Sequence, residues 1–230
     1  MRTTANSLSL AIAASMLLVA GGSQAANLTP GQSAIVQPGD APESWDLNGA
    51  RLDVQPGGQA LRIHANSESS VFLTGAQVAE SSPLSAVHLL NSTAEITDST
   101  LLNSSGSALA LAHSGGTGAR PGSVVTVRRS TLQGVGVGAS VSTVLPDQRA
   151  ILVLDSTRVE ALANSSSNPA TRGNGLLLVG TADVSIQNGS TITGAQNGIF
   201  AINTDVGGAS DVSIDGSRVE GGSGAAIHVA

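Results

Sequence analysis

An all-β solenoid, a parallel β-helix of about seven coils, is the fold that this sequence predicts. A pattern of apolar, any, apolar, two or three bend residues, any and apolar returns seven times between Trp45 and Val219. Composition agrees: 40% of the residues are hydrophobic but only 1% aromatic, so a core has to be built from stacked Val, Ile, Leu and Ala. The bends themselves are mostly Gly, Asn or Asp, residue types that tolerate the left-handed backbone a tight corner requires.

Residues 1–25 stand apart. Arg2 is a short positive region, Leu8 to Ala20 an apolar one, and Ser23-Gln24-Ala25 a small-x-small site. Together they read as a signal peptide cleaved before Ala26, because the apolar run is short for a bilayer span. Residues 26–44, with Pro30, Pro38 and Pro42, are expected to cap the first coil against edge pairing. Residues 45–230 are expected to form one elongated β-helix domain.

The copies start at Trp45, Val71, Ala94, Val125, Leu152, Val184 and Val212. Their central apolar residues are Leu47, Leu73, Ile96, Val127, Leu154, Ile186 and Ile214, spaced by 23 to 32 residues, as suits coils with loops of varying length. In Val212-Ser213-Ile214 the period of two sends the valine and isoleucine inward and the serine outward. Gly49, Gly75, Asp98, Asn188-Gly189 and Gly216 follow as bends, with Arg129 and Ser156 as exceptions of less permissive type. A further strand closes each coil: Leu61-Arg62-Ile63, Val87-His88-Leu89, Leu109-Ala110-Leu111, Leu177-Leu178-Val179, Phe200-Ala201-Ile202 and Ile227-His228-Val229. Coil four matches most poorly, with Val137 to Val141. Excursions at 112–122, 144–149 and 162–174 read as loops on the rod, which would be roughly 34 Å long at the usual strand spacing.

With no Cys, no Lys and a formal net charge of −6, stability is expected to come from packing, lysine chemistry is excluded, and nucleic acid is disfavoured as a partner. The coils Leu47-Asn48-Gly49-Ala50-Arg51-Leu52 and Ile96-Thr97-Asp98-Ser99-Thr100-Leu101, with closing strands such as Gly224-Ala225-Ala226-Ile227-His228-Val229, resemble the pertactin-like passenger region of bacterial autotransporters, the type V secretion proteins. The resemblance covers about residues 45–230. It implies a right-handed, three-sheeted β-helix at a Gram-negative cell surface or outer membrane, serving adhesion or virulence. It also implies a host or bacterial surface protein or glycan as partner, and no cofactor. The family's C-terminal translocator barrel is not within these residues, so membrane contact is expected only through such a barrel, with release or a periplasmic location otherwise.

The competing class is a carbohydrate-active enzyme of the same architecture. Asn203-Thr204-Asp205 looks like one element of polygalacturonases, but no Asp-Asp pair, Gly-His-Gly or Arg-Ile-Lys accompanies it, whereas glycosidic cleavage needs two carboxylates in acid and base roles. Asp98, Asp155 and Asp215 read as single acids at bends or flanks. His88 and His228 take equivalent outward positions too far apart to share a metal, while His64 and His113 read as strand-end residues facing loops. Gly115-Gly116-Thr117-Gly118-Ala119-Arg120 reads as a flexible loop, lacking the lysine of a phosphate cradle. No catalytic, cofactor or metal residue is therefore assigned. Two surface contacts are expected: a small basic spot from Arg120, Arg128 and Arg129 suited to acidic glycans, and Phe72, read as outward between Asp46 and Glu95 or else covered by the loop from Ala79 to Pro83.

Overall fold

Short segments with one apolar edge bury it by stacking on one another, and this chain stacks them in parallel. The computed structural model describes residues 25–112, 122–143, 149–163, 173–202 and 209–230. The expected signal peptide up to residue 24, Arg120, His113, Asn203 to Asp205 and most of the three expected loops lie outside the described residues. All the regular elements described are β-strands.

They line three faces. One is an eight-stranded sheet of β2 (Ser33–Val36), β4 (Arg51–Val54), β6 (Ser70–Thr74), β9 (Thr93–Thr97), β12 (Val124–Arg128), β15 (Ala150–Asp155), β18 (Ala182–Gln187) and β21 (Asp211–Ile214), stacked in that order. The 15-stranded sheet makes the other two. Its second face carries β7 (Gln77–Glu80), β10 (Thr100–Asn103), β13 (Thr131–Gly134), β16 (Arg158–Ala161), β19 (Thr191–Gly194) and β22 (Arg218–Gly221). The third carries β1 (Ala26–Leu28), β3 (Glu43–Asn48), β8 (Val87–Leu90), β11 (Ser107–Ala112), β14 (Val137–Thr143), β17 (Asn174–Gly180), β20 (Ile199–Ile202) and β23 (Ile227–Val229). The two faces count as one sheet because β5 (Gln59–Asn66) runs through their shared corner: Ala60 pairs with Val78 of β7, and Ile63 with Val87 of β8.

Register aligns like with like. Val54, Leu73, Ile96, Val127, Leu154 and Ile186 are consecutive partners on the first face, all nearly inaccessible. Val87, Leu109, Ala139, Leu176 and Ile199 do the same on the third. The inward residues of the last strands, Val212, Ile214, Ile227 and Val229, are exposed, since no described strand covers them.

The first expected copy is out of phase with the rest. Leu47 sits in β3 on the third face, and the partner of Leu73 is Val54. Two closing strands also shift by one residue: Leu178 and Ala201 are aligned inward with Val141, which leaves Leu177 and Phe200 outward. Residues 26–44, read as a cap, contribute β1 and β2, which pair with β3 and β4 as the following strands do.

The corners explain the bend residues. Gly75, Asp98, Arg129, Ser156, Asn188 and Gly216 follow the first-face strands and all have positive φ, from 45° to 57°. Arg129 and Ser156 thus adopt the left-handed turn despite their type. The next residue is Ala76, Ser99, Ser130, Thr157 or Ser217, and Ser190 follows Asn188 after the inserted Gly189; the buried hydroxyls among them form a hydrogen-bonded column. The Ser99 amide donates to Ser130 Oγ at 3.0 Å while that hydroxyl donates to the Arg128 carbonyl at 2.7 Å, and Thr157 and Ser190 repeat the arrangement. The column satisfies backbone groups that a corner would otherwise bury unpaired. Ser130→Ala is expected to strand the Ser99 amide at a cost of about 1–3 kcal/mol; urea unfolding with an unchanged midpoint would contradict this.

Candidate binding site

Outward residues form ladders in which identity changes from coil to coil, so the surface chemistry depends on register. On the first face Phe72 lies between Asp53 and Glu95, not beside Asp46, and this face does not carry the Ala79 to Pro83 segment. Arg51 covers it, with its guanidinium carbon 4.1 Å from the ring centroid and its Nε donating to Asp53 at 2.9 Å. Phe72 is therefore half-buried beneath an ion pair rather than a bare apolar contact.

Arg128 and Arg129 are both exposed, and both face acids on neighbouring coils. Arg129 donates through Nε and Nη2 to the two carboxylate oxygens of Asp98, each at 2.8 Å. This bidentate bond holds the Asp98 carboxyl below the usual range. Arg128 is the register partner of Asp155, whose carboxyl is pushed down by the Asn188 amide at 2.9 Å and, less strongly, by this arginine. The two arginines are charge-balanced corner residues. Arg120 lies outside the described residues.

Register also brings two acids together that sequence spacing did not reveal. Asp183 and Asp211 are partners on β18 and β21. Arg149 joins them, with Nε 2.8 Å from Asp183 Oδ1 and Nη2 2.6 Å from Asp211 Oδ2, and also donates to the Ala182 and Ala209 carbonyls. An arginine shared this way staples adjacent coils through charge-assisted hydrogen bonds.

A further polar cluster is on the third face. Asp46, His64 and His88 are successive partners on β3, β5 and β8, in mid-strand rather than at strand ends as expected for His64. The two imidazoles stack with centroids 5.0 Å apart and planes 14° from parallel. Asp46 Oδ1 accepts from Arg62 Nη2 at 3.3 Å and lies 3.5 Å from His64 Nδ1. His64 Nε2 is shielded from solvent and has no hydrogen-bond partner among the described residues. Beside them opens a cleft of about 330 Å³ lined by Arg62, His64, Pro83, Leu84, Ser85 and His88. The other strand-borne histidine, His228, packs its edge against Phe200, far along the same ladder. Among the described residues no three His, Asp or Glu side chains group as a metal site.

Burial pushes the His88 imidazole down, and the neighbouring His64 and Arg62 charges add to this. The folded state therefore resists a proton that the unfolded chain accepts at its ordinary value of about 6.5. This contribution to stability is present above that value and is lost as pH falls through it toward the depressed folded one. Asp98 and Asp155, also depressed, act in the same sense only at lower pH, below the ordinary carboxylate value. Thermal unfolding is expected to move down between about pH 7.5 and about pH 5.5, and to move less in His88→Gln. Equal shifts in the two proteins would rule out His88 as the cause.

No family model, curated protein or solved structure matches this chain.

Proposed function

We propose that this chain is an exported, non-catalytic β-helix of the autotransporter passenger kind, acting as a cell-surface adhesin or structural stalk. The observation that carries the reading is the continuous stack of parallel strands on three faces, whose inward positions are mostly aliphatic and whose outward positions vary from coil to coil. Such a surface keeps its scaffold while changing its contacts, which suits recognition. The apolar segment from Leu8 to Ala20 supports export. The partner is a host or bacterial surface protein or glycan; the acidic balance argues against nucleic acid. Anchoring to the outer membrane requires a translocator barrel, and without one the protein is periplasmic or released.

Two assays test this together. Expressed in a Gram-negative host, the exported protein is expected to begin at Ala26, and incubation with polygalacturonate is expected to release neither reducing nor unsaturated ends. An uncleaved cytoplasmic product would overturn the export half. Steady release of sugar ends would overturn the non-catalytic half and favour the carbohydrate-active alternative, with Asp183 and Asp211 as the first residues to substitute.

A further inference from the structure

We infer that the cleft between the third face and the Pro83 to Ser85 turn binds a carboxylate-bearing sugar, a hexuronate residue, with Arg62 and the stacked pair His64 and His88 as its cationic wall. This goes beyond the passenger reading and holds whether or not the chain is displayed on a cell.

Charge is the first argument. One acid, Asp46, faces Arg62 and two histidines, and it is already shared between Arg62 at 3.3 Å and His64 at 3.5 Å. With neutral imidazoles the cluster balances; with protonated ones it carries a surplus of positive charge. Among the described residues, register sets no acid other than Asp46 directly against Arg62, His64 or His88. The next rung on β11 is Ala110, Arg62 is aligned beside Ala86, and Glu80 at the start of the turn is occupied by the Ser81 and Ser82 amides at 2.7 and 2.8 Å. With the imidazoles protonated, an anion in the cleft supplies the counter-charge.

Shape and polarity choose the sugar. The cleft, at about 330 Å³, is within the size range of small-molecule sites and larger than a bare oxyanion fills. Pro83 and the exposed Leu84 add apolar surface to the lining, which suits the C–H face of a sugar ring. Arg62 uses one of its five N–H donors on Asp46, and a guanidinium binds carboxylate with two. Ser85 adds a hydroxyl to the lining. Since binding of an anion and protonation of the imidazoles favour each other, affinity rises as pH falls.

The test is a titration of the histidine imidazole NMR signals of the whole protein with glucuronate, with glucose and inorganic sulfate as separate arms. The His64 and His88 signals are expected to move with glucuronate while His228 stays fixed. A midpoint rise of about one pH unit in either imidazole corresponds to up to about tenfold tighter binding below its midpoints than above them. Arg62→Gln, checked by circular dichroism to remain folded, is expected to weaken binding about tenfold or more. Static His64 and His88 signals would overturn the site. An equal response to glucose would overturn the charge argument, and sulfate binding as tightly as glucuronate would overturn the sugar.

Discussion

Adding one methyl group at Gly180 is expected to destabilise the fold sharply. This glycine closes the corner between β17 and β18 at φ +85°, and a Cβ there would stand 1.8 Å from the Thr143 carbonyl oxygen on the preceding coil. A left-handed alanine costs about 1–2 kcal/mol by itself. Overpacking adds about 1–3 kcal/mol or more, and here the obstacle is backbone, which cannot rotate away. The shift would also disturb the Thr181 amide donating to Thr143 Oγ1 at 2.7 Å. Gly189, at φ +77° with nothing within 4 Å of its would-be Cβ, is the control. Gly189→Ala is expected to show the backbone cost alone, so chemical unfolding should rank Gly180→Ala well below it. Equal midpoints would contradict the close contact between coils.

Leu154→Ala is expected to cost about 2–5 kcal/mol, the range for removing a buried leucine and leaving a cavity. Leu154 is wholly buried between its partners Val127 and Ile186. In a solenoid each coil contacts its neighbours, so the loss falls on the β12, β15 and β18 coils first. Hydrogen exchange is expected to quicken in those strands more than in β4 and β6. A uniform change across the chain would mean that the stack unfolds as a single unit.

Most of the first face was legible in the sequence, and the reason for the one failure is physical. From Leu73 onward each apolar triplet is followed by a left-handed bend, and the six copies from there track one face. Leu47-Asn48-Gly49 imitates Leu73-Thr74-Gly75 because both precede corners with positive φ, at Gly49 and Gly75, but the corners are different ones. The intervening coil hides this, since β5 crosses its corner as one continuous strand without a glycine to mark it. That phase error displaced Phe72 to Asp46 in the reading and moved His64 to a strand end. The clustering of His64 with His88, and of Arg149 with Asp183 and Asp211, rests on partners 24 to 62 residues apart, which only the register between coils brings together. A stricter alignment of Trp45-Asp46-Leu47 with Ile63-His64-Ala65 and Val87-His88-Leu89 was the available signal for the histidine pair.

The stacking register is the central claim, and cross-linking tests it most directly, because the chain contains no cysteine and each engineered pair reports only on itself. Neighbouring parallel strands place partner Cα atoms about 4.8 Å apart, within disulfide range. The pair Asp53→Cys with Phe72→Cys is expected to oxidise readily, and so is Thr126→Cys with Val153→Cys, whereas Asp46→Cys with Phe72→Cys is expected to stay reduced. A disulfide between positions 46 and 72, with none between 53 and 72, would contradict the register and with it the placement of His64 against His88.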